Sequence, residues 1–122
     1  MVNQTNTIET SVIIPSYKSS HTIGLCLKSV LTQNTEKKYE VILVDSTPEE
    51  SVADIANEYK NITFIRSKIR LYAGQARNEG IKIAKGKIIA FTDADCIVDS
   101  DWVQNIWLSF KKNSDYMAIG GA

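Results

Sequence analysis

The sequence has no charge of either sign to spare: fourteen Lys and Arg balance fourteen Asp and Glu. That balance leaves no basic face for nucleic acid and no polybasic anchor for a membrane surface. Cysteine is scarce, and Cys26 and Cys96 show neither CxxC nor Cys/His metal spacing. A disulfide framework is not expected, and both thiols are read as reduced, which points to the cytoplasm. The single histidine, His21, has no sequence tie to either cysteine, so a Cys-His nucleophile has no support. No apolar run approaches the roughly 20 residues of a membrane span. Met1–Thr10 is polar, lacks the basic and apolar regions of a secretion signal, and is read as a frayed tail. There is no internal repeat, low-complexity tract or Gly/Ser linker, so residues 11–122 are expected to form one domain. Neither GxGxxG nor GxxxxGK[ST] occurs, which removes the dinucleotide fingerprint and the P-loop.

What is present is ordinary in bulk and specific in order. Apolar residues make up 43% and charged residues 23% of 122 residues, enough to bury roughly two-thirds of the unfolded surface. Four short runs read as strands: Ser11–Pro15, Tyr39–Asp45, Ile62–Arg66 and Lys87–Thr92. They alternate little, as strands covered on both faces do. Helical patterns separate them. Ile23, Leu27, Val30 and Leu31 share a face after Ser19-Ser20, which can cap. Val52, Ile55, Ala56 and Tyr59 share another after Thr47-Pro48-Glu49-Glu50, a capping box with Pro at the first helical position. Ala73, Ala76, Gly80 and Ala84 line a third helix, roughly Ala73–Lys85, with Gly86 as its stop signal. Trp102, Val103, Ile106, Trp107 and Phe110 make a fourth, capped at Asp99 or Ser100, its tryptophans read as core. A fifth strand is expected over Tyr116–Ala122.

Strands and helices in alternation predict an α/β fold: a doubly wound, mainly parallel sheet in three α/β/α layers with strand order 3-2-1-4. In such sheets ligands sit outside the carboxyl ends of the strands, at the point where the order reverses. The first strand ends in Pro15-Ser16-Tyr17-Lys18, the second in Asp45-Ser46-Thr47, the fourth in Thr92-Asp93-Ala94-Asp95. If the topology holds, these sets meet in one crevice. Asp93 and Asp95, spaced i, i+2, suit a divalent cation and a ligand hydroxyl, because hard cations prefer carboxylate oxygen. An acid such as Asp45 suits the donors of a base or ribose, and serves equally well as a turn acid at a helix start. Arg77, early in the third helix, is a candidate for neutralising phosphate.

Five stretches, in order, carry a resemblance. Ser11-Val12-Ile13-Ile14-Pro15-Ser16-Tyr17, Leu27–Gln33, Val41-Ile42-Leu43-Val44-Asp45-Ser46, Gly74-Gln75-Ala76-Arg77-Asn78-Glu79-Gly80-Ile81 and Ile89–Asp95 resemble the nucleotide-binding half of a family 2 glycosyltransferase. That family has the Rossmann-like GT-A fold, and Asp93-Ala94-Asp95 is similar to its DxD motif. The resemblance implies an inverting transferase using a nucleotide diphosphate sugar, expected to be a UDP-sugar, with Mn²⁺ or Mg²⁺, in polysaccharide or cell-wall biosynthesis. Asp45 would contact the base, and Pro15, Ser16 and Tyr17 would line its pocket. Asp93 would face the ribose or sugar, Asp95 would hold the metal, and Arg77 would help fix the diphosphate or serve as an ion-pair partner. The acceptor would be a saccharide or lipid-linked hydroxyl, and a longer parent could lie at the inner face of the membrane.

Two positions depart from the family pattern: Lys18 replaces the usual Asn, and Ser46-Thr47-Pro48 replaces an acid-rich Asp-Gly-Ser turn. No residue presents itself as the catalytic base. The sequence stops at Gly120-Gly121-Ala122, about where the family's donor half ends. The expectation is therefore a domain truncated before the acceptor half, inactive or very weak in transfer alone, with exposed apolar surface favouring self-association. The alternative is a non-catalytic nucleotide-binding or interaction domain that retains the fold.

Overall fold

The computed structural model describes residues 7–48 and 51–113 together with 115, 118 and 120. Four parallel strands form its sheet: β1 (Thr10–Ser16), β2 (Tyr39–Asp45), β3 (Ile62–Arg66) and β4 (Ile88–Phe91). They are connected by α1 (Ile23–Leu31), α2 (Ser51–Ala56) and α3 (Ala73–Ile83), and α4 (Trp102–Lys112) follows the last strand. The strand order is β3-β2-β1-β4, as the alternating pattern predicts. The chain thus reverses direction across the sheet between β1 and β4, and their carboxyl ends lie side by side.

The near-continuous apolar runs follow from burial on both faces. Along β1, Val12 and Ile14 face one side with Val41 and Leu43 of β2, under Ile23, Leu27 and Val30 of α1, Val52 of α2 and Val103 of α4. Ile13, between them, faces the other side with Ile42, Val44 and Ala76 of α3. Residues at successive positions therefore reach opposite cores, as the period of two requires.

α3 comes close to the sheet because its inner face is small. Ala76 and Gly80 are buried, and a Cβ on Gly80 would stand 2.6 Å from Ile13 Cγ2. Ala73, expected on that face, is exposed instead. The helix stops at Ile83, with Ala84 in extended conformation as its cap. Gly86 is therefore no stop signal. It is small because β1 passes against it: a Cβ there would lie 2.6 Å from Ser11 N and 2.7 Å from Thr10 C.

Other helix starts also shift. α1 is entered through Thr22, whose amide and that of Ile23 donate to the Ser19 carbonyl. α4 begins after Asp101, later than the Asp99 or Ser100 expected. Gln33 explains the delay: it accepts the Val103 amide at 2.8 Å and donates to the Asp99 carbonyl at 2.7 Å, fixing the entering loop from α1. Trp102 packs on the main core as anticipated. Trp107 is half-buried, with the Lys37 ammonium 4.3 Å above its ring. The Thr47–Glu50 capping box includes 49 and 50, and the fifth strand includes 116, 117, 119, 121 and 122; all lie outside the described residues. Among the described residues no helix is long and apolar enough to cross a membrane.

Candidate donor-binding site

At the carboxyl ends of β1 and β4 the surface opens into a cavity of about 450 Å³. Pro15, Ser16 and Tyr17 line one side, Asp93, Ala94 and Asp95 the other, and Leu71 and Ala73 border it from the entrance to α3. Five of the seven residues singled out from sequence thus share one crevice. Asp45 and Arg77 stand just outside it.

Asp45 is the register partner of Ser16, and the Ser46 amide donates to the Ser16 carbonyl at 3.1 Å. The Asp45 side chain is fully buried. Its Oδ1 accepts the Thr47 hydroxyl at 2.6 Å, while Oδ2 has no partner among the described residues. The hydroxyl of Ser16, also buried, is likewise unpartnered. Buried polar atoms are nearly always hydrogen-bonded, so two orphans on register-paired residues suit a missing polar ligand.

Arg77 projects from α3 to the opposite wall. Its guanidinium lies 3.5 Å from Asp93 Oδ1 and 5.4 Å from the Phe91 ring centre. Sequence left open whether it meets phosphate or an acidic side chain; the structure pairs it with Asp93. Among the described residues Asp95 carries only a weak contact from the Cys96 thiol, at 3.7 Å. Ligand atoms of Asp93, Asp95 and Cys96 lie within 4.8 Å of one another. Two exposed carboxylates at that spacing, on the rim of a cavity, are a donor set that fits a hard divalent cation.

The acidic turn is held from below. The Cys26 thiol of α1 donates to the Asp93 carbonyl at 3.5 Å. Burial, with added negative charge from Cys96, Asp95 and Asp93, pushes this thiol up to about 12. Cys26 is therefore a neutral support for the loop and no nucleophile.

Three further side chains gather around Tyr17, and of these only Lys18 was among the strand-end residues expected to meet there. Lys18 lines the cavity and is the only non-glycine residue with positive φ, 52°, among the described residues. Arg70 stacks between two rings, 4.2 Å from the Tyr17 centre and 4.4 Å from that of Tyr72. The sequence gives a signal for Lys18, its departure from the family pattern. Arg70 and Tyr72 carry none, because only the fold returns the β3–α3 connection to Tyr17.

The family sequence model for Glycosyl transferase family 2 matches residues 11–122. This chain belongs to glycosyltransferase family 2. Its relatives include a poly(ribitol-phosphate) beta-glucosyltransferase of Bacillus spizizenii, 37% identical over 117 residues, which cover 90% of this chain and 18% of the relative. Among solved structures, S. aureus TarS 1–349 in complex with UDP is 22% identical with a TM-score of 0.74, covering 88% of this chain and 33% of that one. The mannosyltransferase PcManGT of Pyrobaculum calidifontis, in complex with GDP-Man and Mn²⁺, is 27% identical with a TM-score of 0.72, covering 83% and 32%. The fold is thus the GT-A fold of family 2 enzymes. The chain spans a third or less of the length of each of these proteins.

Proposed function

We propose that this chain is the donor-binding part of an inverting glycosyltransferase, taking a UDP-sugar in the presence of Mn²⁺ or Mg²⁺. The observation that carries this reading is the single crevice between Ser16–Tyr17 and Asp93–Asp95, backed by the unpartnered Asp45 Oδ2 and Ser16 hydroxyl. The UDP bound by TarS and the Mn²⁺ bound by PcManGT support the same assignment.

In this reading the base enters between Pro15, Ser16 and Tyr17, and Asp45 accepts a ring N–H. Asp93 faces the ribose or sugar, oriented by Arg77. Asp95, the less engaged acid, holds the metal. A divalent cation, when bound, supplies Lewis-acid stabilisation of charge on the departing diphosphate. The chain's own groups bind and orient the donor. The acceptor is a saccharide or lipid-linked hydroxyl of a cell-wall or polysaccharide pathway, and its deprotonation is assigned to no described residue.

Thermal melting with UDP decides the matter. A ligand that binds only the folded state at a hundredfold excess over Kd adds about 2.7 kcal/mol. UDP should raise the melting temperature only with Mn²⁺ or Mg²⁺, with the effect lost in Asp95→Ala and weakened in Asp45→Ala. An equal shift without metal would refute the role of Asp95.

A further inference from the structure

The turn after β2 contains a hydroxyl that the donor-site reading leaves unused. Thr47 is almost fully buried. Its Oγ1 accepts the Lys18 amide at 2.8 Å and donates to Asp45 Oδ1 at 2.6 Å. Chemistry fixes the direction. The Lys18 amide can only donate, so it takes a lone pair of the hydroxyl and leaves the hydroxyl proton for Asp45 Oδ1.

Both ends of this relay are held. The left-handed conformation of Lys18, φ 52°, belongs to the residue whose N–H meets the hydroxyl. Arg66, at the end of β3, donates to the carbonyls of Thr47 and Pro48 at 3.5 and 3.1 Å. A polarised chain of this kind strengthens each bond in it. Asp45 Oδ1 is therefore occupied, and Oδ2 remains, buried and without a partner among the described residues. The Ser16 hydroxyl, on the register partner of Asp45, likewise has no partner among the described residues.

We propose that Thr47 is a positioning residue for nucleobase recognition, holding Asp45 so that one oxygen alone is offered to the ligand. The proposal rests on the donor-site reading and deepens it by naming the base edge. A fixed acceptor beside a free hydroxyl matches a ring N–H next to a carbonyl, the imide edge of uracil. A ring nitrogen without hydrogen, as in cytosine, would set lone pair against lone pair. The turn of this chain, Ser46-Thr47-Pro48, offers one acidic contact where an acid-rich turn would offer two. The hydroxyl makes that single contact directional.

The test titrates UDP and UDP methylated at uracil N3 into the chain with Mn²⁺ by calorimetry, for wild type, Thr47→Val, Thr47→Ala and Thr47→Ser. Valine keeps the shape of threonine and removes the hydroxyl; alanine gives the same comparison should valine prevent folding, which melting without ligand reports. Wild type should prefer UDP by roughly tenfold or more, the worth of one hydrogen bond to a charged group. The preference should fall to about threefold or less without the hydroxyl and return in Thr47→Ser. A purely structural role would weaken both ligands alike and leave their ratio unchanged, and that result overturns the proposal. Wild type that binds UDP without preference overturns it too, by removing the Asp45 contact. Wild type that does not bind UDP overturns the donor-site reading itself.

Discussion

Replacing Gly86 by alanine should destabilise the chain by about 2–3 kcal/mol, although the residue lies outside every helix and has ordinary negative φ. The added methyl would stand 2.6 Å from Ser11 N, 2.7 Å from Thr10 C and 2.7 Å from Ser11 Oγ. Two of these atoms are backbone of β1, which is hydrogen-bonded on both sides, to β2 and β4, and cannot retreat without straining a ladder. Overpacking of this kind costs about 1–3 kcal/mol. The Gly86 amide also donates to Ser11 Oγ at 2.8 Å, and that hydroxyl in turn donates to Glu40 on β2. Loss of a partly buried bond adds about 0.5–1.5 kcal/mol. Against this, alanine restricts the unfolded chain and returns about 0.4–1 kcal/mol. With a urea slope of about 1–3 kcal/mol per molar, the midpoint should fall by roughly 1–2 M at unchanged slope. Gly74→Ala is the matched control: it sits in α3 with nothing within 4 Å of its added Cβ, so it should be neutral or slightly stabilising. A Gly86→Ala midpoint equal to that of wild type would refute the close approach of this turn to β1.

Arg77→Ala should change stability by less than about 0.5 kcal/mol in urea melts, because the pair with Asp93 is substantially solvent-exposed and surface pairs contribute little. A loss above about 1.5 kcal/mol would show that Arg77 supports the fold. Alkaline stability should reveal the buried thiol. Unfolded Cys26 ionises near its ordinary 9.0, whereas the folded thiol keeps its proton to about 12. Stability is therefore complete below about pH 9 and falls between 9 and 12, by up to about 1.4 kcal/mol per pH unit from this group. Urea melts without added metal should show a shallower alkaline decline for Cys26→Ala, and an unchanged slope would place the thiol in water. At pH 8, iodoacetamide should label Cys96, which is exposed, well before Cys26; equal labelling would contradict the packing of α1 under the acidic turn.

The four strands and their order were legible because a parallel sheet covered on both faces writes itself as short apolar runs separated by amphipathic helices. The acids were legible because strand ends in such a sheet are where ligands gather. What escaped were features set by side-chain direction. Asp45 stands at the expected strand end, yet its carboxylate is buried and tied through one oxygen to Thr47, so it is not among the residues that line the open cavity. Arg70 reaches Tyr17 across a connection of more than fifty residues, which no local pattern encodes. Gly86 looked like a helix terminator because glycine often is one; its actual constraint comes from a strand 75 residues earlier in the chain.

The order of the strands also bears on when the site comes into existence. Of the four strands β1 is made first, and it sits inside the sheet with partners of unequal distance: Thr10 pairs with Tyr39 on one side and with Ile88 on the other. On a ribosome, β1, β2 and β3 can meet once the chain has emerged through Arg66, and Ser16 and Asp45 come together then. β4 must close a far longer loop, and contacts of large sequence separation form slowly. The Ser16–Asp45 side of the crevice therefore precedes its acidic side during synthesis, and until β4 docks that edge of β1 stays open to other strands.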